Sequence, residues 1–77
     1  MNYVYISRFW DNSIFYYTGV ADSVEVAKKL AQRHCDAVNS AGPIDIQWDG
    51  TRGKAFHPDG VTLLGGYDIE RWEVSTE

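Results

Sequence analysis

Several side chains in this 77-residue sequence have the types that catalysis or ligation requires, and their spacing decides how each group reads. The run Gly50-Thr51-Arg52-Gly53-Lys54-Ala55 has the glycines and lysine of a phosphate loop. Such a loop needs four residues between its glycines and a Ser or Thr after the lysine to hold Mg²⁺. Here two residues intervene and Ala55 follows, so the run reads as a hairpin or connecting loop. His34, Cys35, His57 and Asp59 are candidate metal ligands, but neighbours on a helix such as His34 and Cys35 point about 100° apart and chelate poorly. The same residues fail as a nucleophile and base, because Cys35 falls inside a helix and nothing sets His57 beside it or supplies an oxyanion hole. His34 is expected at the border of the core and Cys35 inside it as a small apolar residue. Asp45, Asp49, Asp68, Glu70 and Glu73 could work as paired acids and bases, yet they alternate with apolar residues as solvated strand faces do. The expectation is a chain without catalytic residues, cofactor or metal, and not an enzyme.

Aromatic side chains suggest a different chemistry. Three Trp, five Tyr and three Phe are more rings than a small core uses, and Tyr, Trp and Arg are the usual anchors of protein interfaces. Phe9 and Trp10 beside a polar turn at Asp11, the pair Tyr16-Tyr17, Arg52 and His57 on the loop, and Trp72 are the candidate partner-binding residues. Trp48 adds a further ring, and about half of all the rings are expected to fill the core. Acidic residues scattered among them would suit a basic partner. The alternative is a nucleic-acid-binding module in which strands such as Tyr3-Val4-Tyr5 and Phe15-Tyr16-Tyr17 stack bases. Seven basic against eleven acidic residues, a net charge of −4, disfavour it, since phosphate backbones are repelled unless cations cluster, and only Lys28-Lys29-Arg33 is dense. A second alternative is a small ligand-binding or enzymatic domain around residues 49–60, with His57 or Asp59 turned inward.

The elements that would position these residues are bounded by size. At 8.7 kDa the folded chain should expose roughly 4,700 Å² against roughly 12,600 Å² unfolded, enough for one domain, residues 1–77, with one modest core. A hydrophobic share of 44% and a charged share of 23% are those of a folded domain. One cysteine makes no internal disulfide, the start has no signal-peptide pattern, and no apolar run approaches 18 residues. A cytoplasmic protein without membrane contact is expected.

Tyr3 to Trp10 alternates as a strand, with Val4, Ile6 and Arg8 on one face and Tyr3, Tyr5, Ser7 and Phe9 on the other. Asp11-Asn12-Ser13 reads as a turn, Ile14 to Thr18 as the returning strand, and Gly19 as its break. Asp22 can cap a helix, with Glu25 completing a capping box and Ala21 and Val26 forming a staple. The stripe Val24, Ala27, Leu30, Ala31, His34 and Val38 follows, and Gly42-Pro43 ends the helix near Ser40 or Ala41. Ile44, Ile46 and Trp48 alternate as a strand, and residues 49–60 read as a long loop. Val61 to Leu64 forms a short strand before a Gly65-Gly66 turn, and Tyr67 to Val74 closes the chain. Tyr67 and Ile69 have one parity and Trp72 and Val74 the other, which predicts a β-bulge near Glu70-Arg71 or a strand partly covered on both faces. The fold class is α+β, order ββαβ(β)β: one helix on a mainly antiparallel sheet of four or five strands.

The first strand Tyr3-Val4-Tyr5-Ile6, the helix opening Gly19-Val20-Ala21-Asp22-Ser23-Val24-Glu25-Val26-Ala27, and the closing Tyr67-Asp68-Ile69-Glu70 and Trp72-Glu73-Val74 together resemble small bacteriophage and actinobacterial proteins of ββαβ layout. The resemblance implies a host-directed role, in which a small acidic protein binds and blocks a host enzyme or defence complex. The expected partner is therefore a host protein. A small open sheet also leaves two edges, so homodimerisation through an edge strand is a further expectation.

Overall fold

The structure, a computed structural model, describes residues 2–39 and 44–75. It has one helix packed on a five-stranded antiparallel sheet, the α+β two-layer arrangement expected. The elements are β1 (Tyr3–Trp10), β2 (Phe15–Ala21), α1 (Val24–Val38), β3 (Gln47–Asp49), β4 (Arg52–Phe56) and β5 (Leu63–Glu73). The strand order is β2-β1-β5-β4-β3, which places the first and last strands side by side at the centre and leaves β2 and β3 as edges.

β1 and β2 meet across a turn fixed by Asp11, whose carboxylate accepts the amides of Ser13 and Ile14 at 2.8 Å each. Those two bonds hold the Asp11 carboxyl below its usual pKa. Gly19 does not break β2, which runs on to Ala21. The helix presses close there, and a Cβ on Gly19 would stand 2.7 Å from Leu30 Cδ1. A register shift between Ser7 and Arg8 leaves Thr18 as the extra residue of the β1–β2 pair. Its hydroxyl donates to Ser7 Oγ at 2.8 Å, so the fully buried Ser7 side chain has its partner.

Helix α1 begins one residue later than the capping box predicted. Ser23, in extended conformation, is the N-cap and accepts the Val26 amide at 3.2 Å, which places Glu25 inside the first turn. Ala27, Ala31 and Cys35 form its buried stripe, while Val38, expected on that stripe, is exposed. The helix ends at Val38, and the Gly42-Pro43 stop lies outside the described residues.

The second half of the sheet departs most from expectation. Residues 52–56 form a strand paired on both sides, not part of a long loop. Gly50, at φ 65°, makes the tight turn from β3, and Gly53 sits inside β4, where a Cβ would lie 2.5 Å from Ile46 Cγ2. Gly65 and Gly66 are likewise interior to β5, because the rings of Phe9 and Trp10 lie against them. No bulge occurs near Glu70-Arg71: the β1–β5 register runs unshifted from Tyr3↔Glu73 to Trp10↔Gly66. The parity switch is resolved by the two faces, with Tyr67 and Ile69 buried under the helix and Trp72 half exposed on the other side. The strand at Ile44–Trp48 is shorter than read; Ile44 and Ile46 are buried ahead of β3. The core lies wholly between helix and sheet, around Phe9, Ala31, Cys35, Ile46, Ala55 and Tyr67 and, further along, Ala21, Ala27 and Ile69.

Candidate functional site

Pairing fixes which side chains share a face, since opposed residues in an antiparallel ladder point the same way. On the face away from α1 the rows read Tyr17–Arg8–Asp68–Arg52–Asp49, then Phe15–Trp10–Gly66–Lys54–Gln47. Beyond them come Val20–Ile6–Glu70 and Val4–Trp72. The described elements provide no second layer over this face. Phe15, Tyr17, Val20 and Trp72 are 56, 55, 62 and 49% exposed there, so the face is apolar and aromatic along β1 and β2.

Arg8 is the electrostatic centre of the face. Its Nε and Nη2 hold the two Asp68 oxygens at 2.6 Å each, and Nη1 holds Glu70 Oε1 at 2.6 Å. The guanidinium also lies 5.1 Å from the centroid of the Phe15 ring. The forked bond to Asp68 holds Arg8 even more firmly protonated than usual. Trp72 Nε1 donates to the other Glu70 oxygen at 2.6 Å, so the acids between β1 and the end of β5 are tied down. Next to this network a shallow concavity of about 540 Å³ is lined by Trp10, Gln47, Asp49, Arg52, Lys54 and Asp68. The Trp10 indole lies directly on Gly66, which leaves its outer surface as the wall of that concavity.

Four of the eight expected partner-binding residues, Trp10, Tyr17, Arg52 and Trp72, therefore meet on one face. Phe9 must be withdrawn from the set. It is 8% exposed on the helix side, 5.0 Å from the ring centroids of both Tyr67 and His34, because adjacent strand residues point to opposite faces. Tyr16 also faces the helix, and Asp11 is occupied in the turn. His57 stands at the β4–β5 turn, where its amide bonds Thr62 O at 2.8 Å. In that turn Asp59 is pulled down to about 2 by the amides of Thr62 and Val61. Arg8 also belongs to the face and was not singled out from the sequence, which offered Asp68 and Glu70 only as paired acids and bases and Phe15 only as a base-stacking ring. The parity of β1 and β5 carried a signal for the pair Arg8 and Asp68, but those two residues stand 60 positions apart.

Under the helix a polar chain crosses the core. The His34 ring bonds the Tyr16 hydroxyl through Nε2 and the Tyr67 hydroxyl through Nδ1, the latter at 2.7 Å. Burial pushes the His34 pKa down and those of Tyr67 and Cys35 up. Cys35, 2% exposed and 4.0 Å from Ile44 O, thus packs as a protonated small apolar residue, as expected. Among the described residues no three His, Cys, Asp or Glu side chains gather as metal ligands, and no helix is long and apolar enough to cross a membrane.

The neutral imidazole of His34 sets a pH dependence. Its folded pKa lies below the unfolded value of about 6.5, so the unfolded chain takes the proton first and stability falls as pH drops below that value. In a His57→Gln background, leaving one imidazole to titrate, the urea midpoint should decline from pH 7 to pH 5, and adding His34→Gln should flatten that decline. Asp11 and Asp59, both depressed, titrate below this window. A midpoint unchanged between pH 7 and 5, or a decline that survives His34→Gln, would remove His34 as the cause.

Neither a family model, nor a curated protein, nor a solved structure matches the chain.

Proposed function

We propose that this chain is a non-enzymatic protein-binding domain that works through the open face of its sheet. One observation carries the reading: a sheet normally turns polar residues outward on its uncovered side, whereas here Phe15, Tyr17, Val20 and Trp72 stand about half exposed on it. Contiguous apolar surface of this kind marks contact sites, and aromatic residues supply most of the energy in such contacts. The arrangement of charge supports the same use. Arg8 is already paired to Asp68 and Glu70, so covering the centre of the face leaves no lone charge desolvated. Arg8, Arg52 and Lys54 are matched in number by Asp49, Asp68 and Glu70, so a phosphate backbone would find no net positive field, and protein is favoured over nucleic acid.

The test is photo-crosslinking in the cells that carry the protein, with benzoylphenylalanine placed at position 17 on the face or at position 26 on the helix. Protein adducts from position 17 well above those from position 26 are expected. Equal yields, or no protein adduct from position 17, would overturn the reading.

A further inference from the structure

We propose that His34 is a pH-operated latch on the open face: as a neutral ring it pins Tyr16, and once protonated it lets Tyr16 go, freeing residues 15–17 while the rest of the fold persists. This rests on the reading of the face as a protein contact, to which Phe15 and Tyr17 belong, and assigns the regulation of that contact.

The edge strand β2 is held unevenly. Its far end packs on the helix through Gly19, against which Leu30 lies, and through buried Ala21. Its turn-side end is exposed at Phe15, Tyr16 and Tyr17 alike, and as an edge it pairs on one side only, with β1. Phe15 and Tyr17 point to the open face, where their rings meet edge to face. Tyr16 alone of the three turns inward, onto Phe9 and His34. Segments with so little buried surface are the first to open. Beyond the β1 ladder and the Asp11 turn, Tyr16 is what keeps this one shut.

Protonation of His34 acts directly on that hold. A neutral imidazole has one N–H and one bare nitrogen, so of two hydroxyls bonded to it one donates and the other accepts. The Tyr67 hydroxyl is buried, and the other group it meets is the Cys35 thiol, a weak acceptor. Tyr67 therefore donates to Nδ1, and Nε2–H donates to the Tyr16 oxygen. A second ring proton, on Nδ1, then meets the Tyr67 hydroxyl hydrogen and must turn it onto sulfur.

The new charge also lacks a counter-ion. Facing the ring are Phe9 from β1, Tyr16 from β2 and Tyr67 from β5, all uncharged. Arg52 and Lys54 of β4 lie on the opposite face of the sheet, and Arg33, next to His34 on α1, has the same sign. Asp36 on α1 and Asp45 ahead of β3 act on the Cys35 thiol, and Asp11 is bound to the amides of its own turn. Burial is the one cause that acts on His34 itself. An imidazolium so placed gains by turning to water. Water lies on the Tyr16 side, where the bond is exposed, whereas the bond to Tyr67 is part-buried. The ring leaves by displacing Tyr16, and Phe9 and Tyr67 stay in the core.

NMR on the isolated chain tests the latch and needs no partner, so its failure is separate from a failure of the crosslink at position 17. His34 should titrate between pH 7.5 and pH 5, and NOEs between the His34 and Tyr16 rings, present at pH 7.5, should be lost at pH 5. NOEs between Phe9 and Tyr67 should remain at both. His34→Gln, whose amide can bond both hydroxyls without titrating, should keep Tyr16 in place at both pH values; if that variant does not fold, the wild-type NOEs decide alone. A His34 that takes up its proton with Tyr16 still against it overturns the proposal, as does one that stays neutral down to pH 5. Loss of the Phe9–Tyr67 NOEs together with those of Tyr16 overturns it too, because the core as a whole has then opened. Release of Tyr16 at pH 5 in His34→Gln assigns the change to another group and overturns it as well.

Discussion

Phe9→Ala should cost the domain about 3–5 kcal/mol, the range for deleting a buried aromatic side chain. A chain of 77 residues has about 4–12 kcal/mol in total at the usual stability per residue, so the variant should sit at or near the edge of folding. The ring is 8% exposed and touches three other rings: Tyr67 at 5.0 Å and 54°, His34 at 5.0 Å, and Tyr16 at 5.6 Å between centroids. Tilted pairs of this kind add about 0.5–1.5 kcal/mol to the burial itself. The cavity would also open next to the Tyr16–His34–Tyr67 hydrogen bonds and admit water to them. With a urea slope of about 1 kcal/mol per molar, the denaturation midpoint should fall by about 3 M or the variant should lack a folded baseline. Phe9→Leu, which keeps most of the volume, should cost less than half as much. A midpoint shift under about 0.5 M for Phe9→Ala would mean that Phe9 is not the centre of the core.

The case of Phe9 also shows what the sequence could and could not reveal. Alternation in β1 already separates Phe9 from Trp10, and the separation held: one ring is core and the other lines the open face. Reading them as a pair of anchors ignored the pleat. The helix and the first hairpin were legible because their signals are local, a stripe at helical spacing and an Asx turn. The capping residue was off by one because Asp22 and Ser23 are both good caps and Glu25 favoured the earlier of them; only the backbone, extended at Ser23, decides. The second half of the sheet was opaque for a non-local reason. Gly53, Gly65 and Gly66 look like breakers in sequence, but each is small because something lies against it: Ile46 and Trp48, Phe9, and Trp10 respectively. Two of those partners sit more than fifty residues away. The same distance hid Arg8, whose carboxylates Asp68 and Glu70 become neighbours only when the last strand returns to the first.

Gly65→Ala should therefore destabilise the fold by about 1–3 kcal/mol, the cost of overpacking, even though alanine is the better strand residue and the backbone there is not left-handed. The added Cβ would stand 2.5 Å from Phe9 Cε1, 2.7 Å from Phe9 Cζ and 2.8 Å from the Trp10 carbonyl oxygen. The oxygen belongs to the backbone of the central strand pair and cannot yield without disturbing the β1–β5 ladder. The ring cannot turn away either, since Tyr16, His34 and Tyr67 hold its other sides. Gly50→Ala is the instructive comparison. Nothing lies within 4 Å of that site, and its cost of about 1–2 kcal/mol comes from the left-handed backbone at φ 65° alone. A double-mutant cycle separates the two mechanisms. Phe9→Leu frees space beside residue 65, so the pair Gly65→Ala/Phe9→Leu should cost clearly less than the sum of the single changes, while Gly50→Ala/Phe9→Leu should be additive. Strict additivity at residue 65 would show that Phe9 is not what keeps that position a glycine, leaving the Trp10 carbonyl as the group the methyl meets.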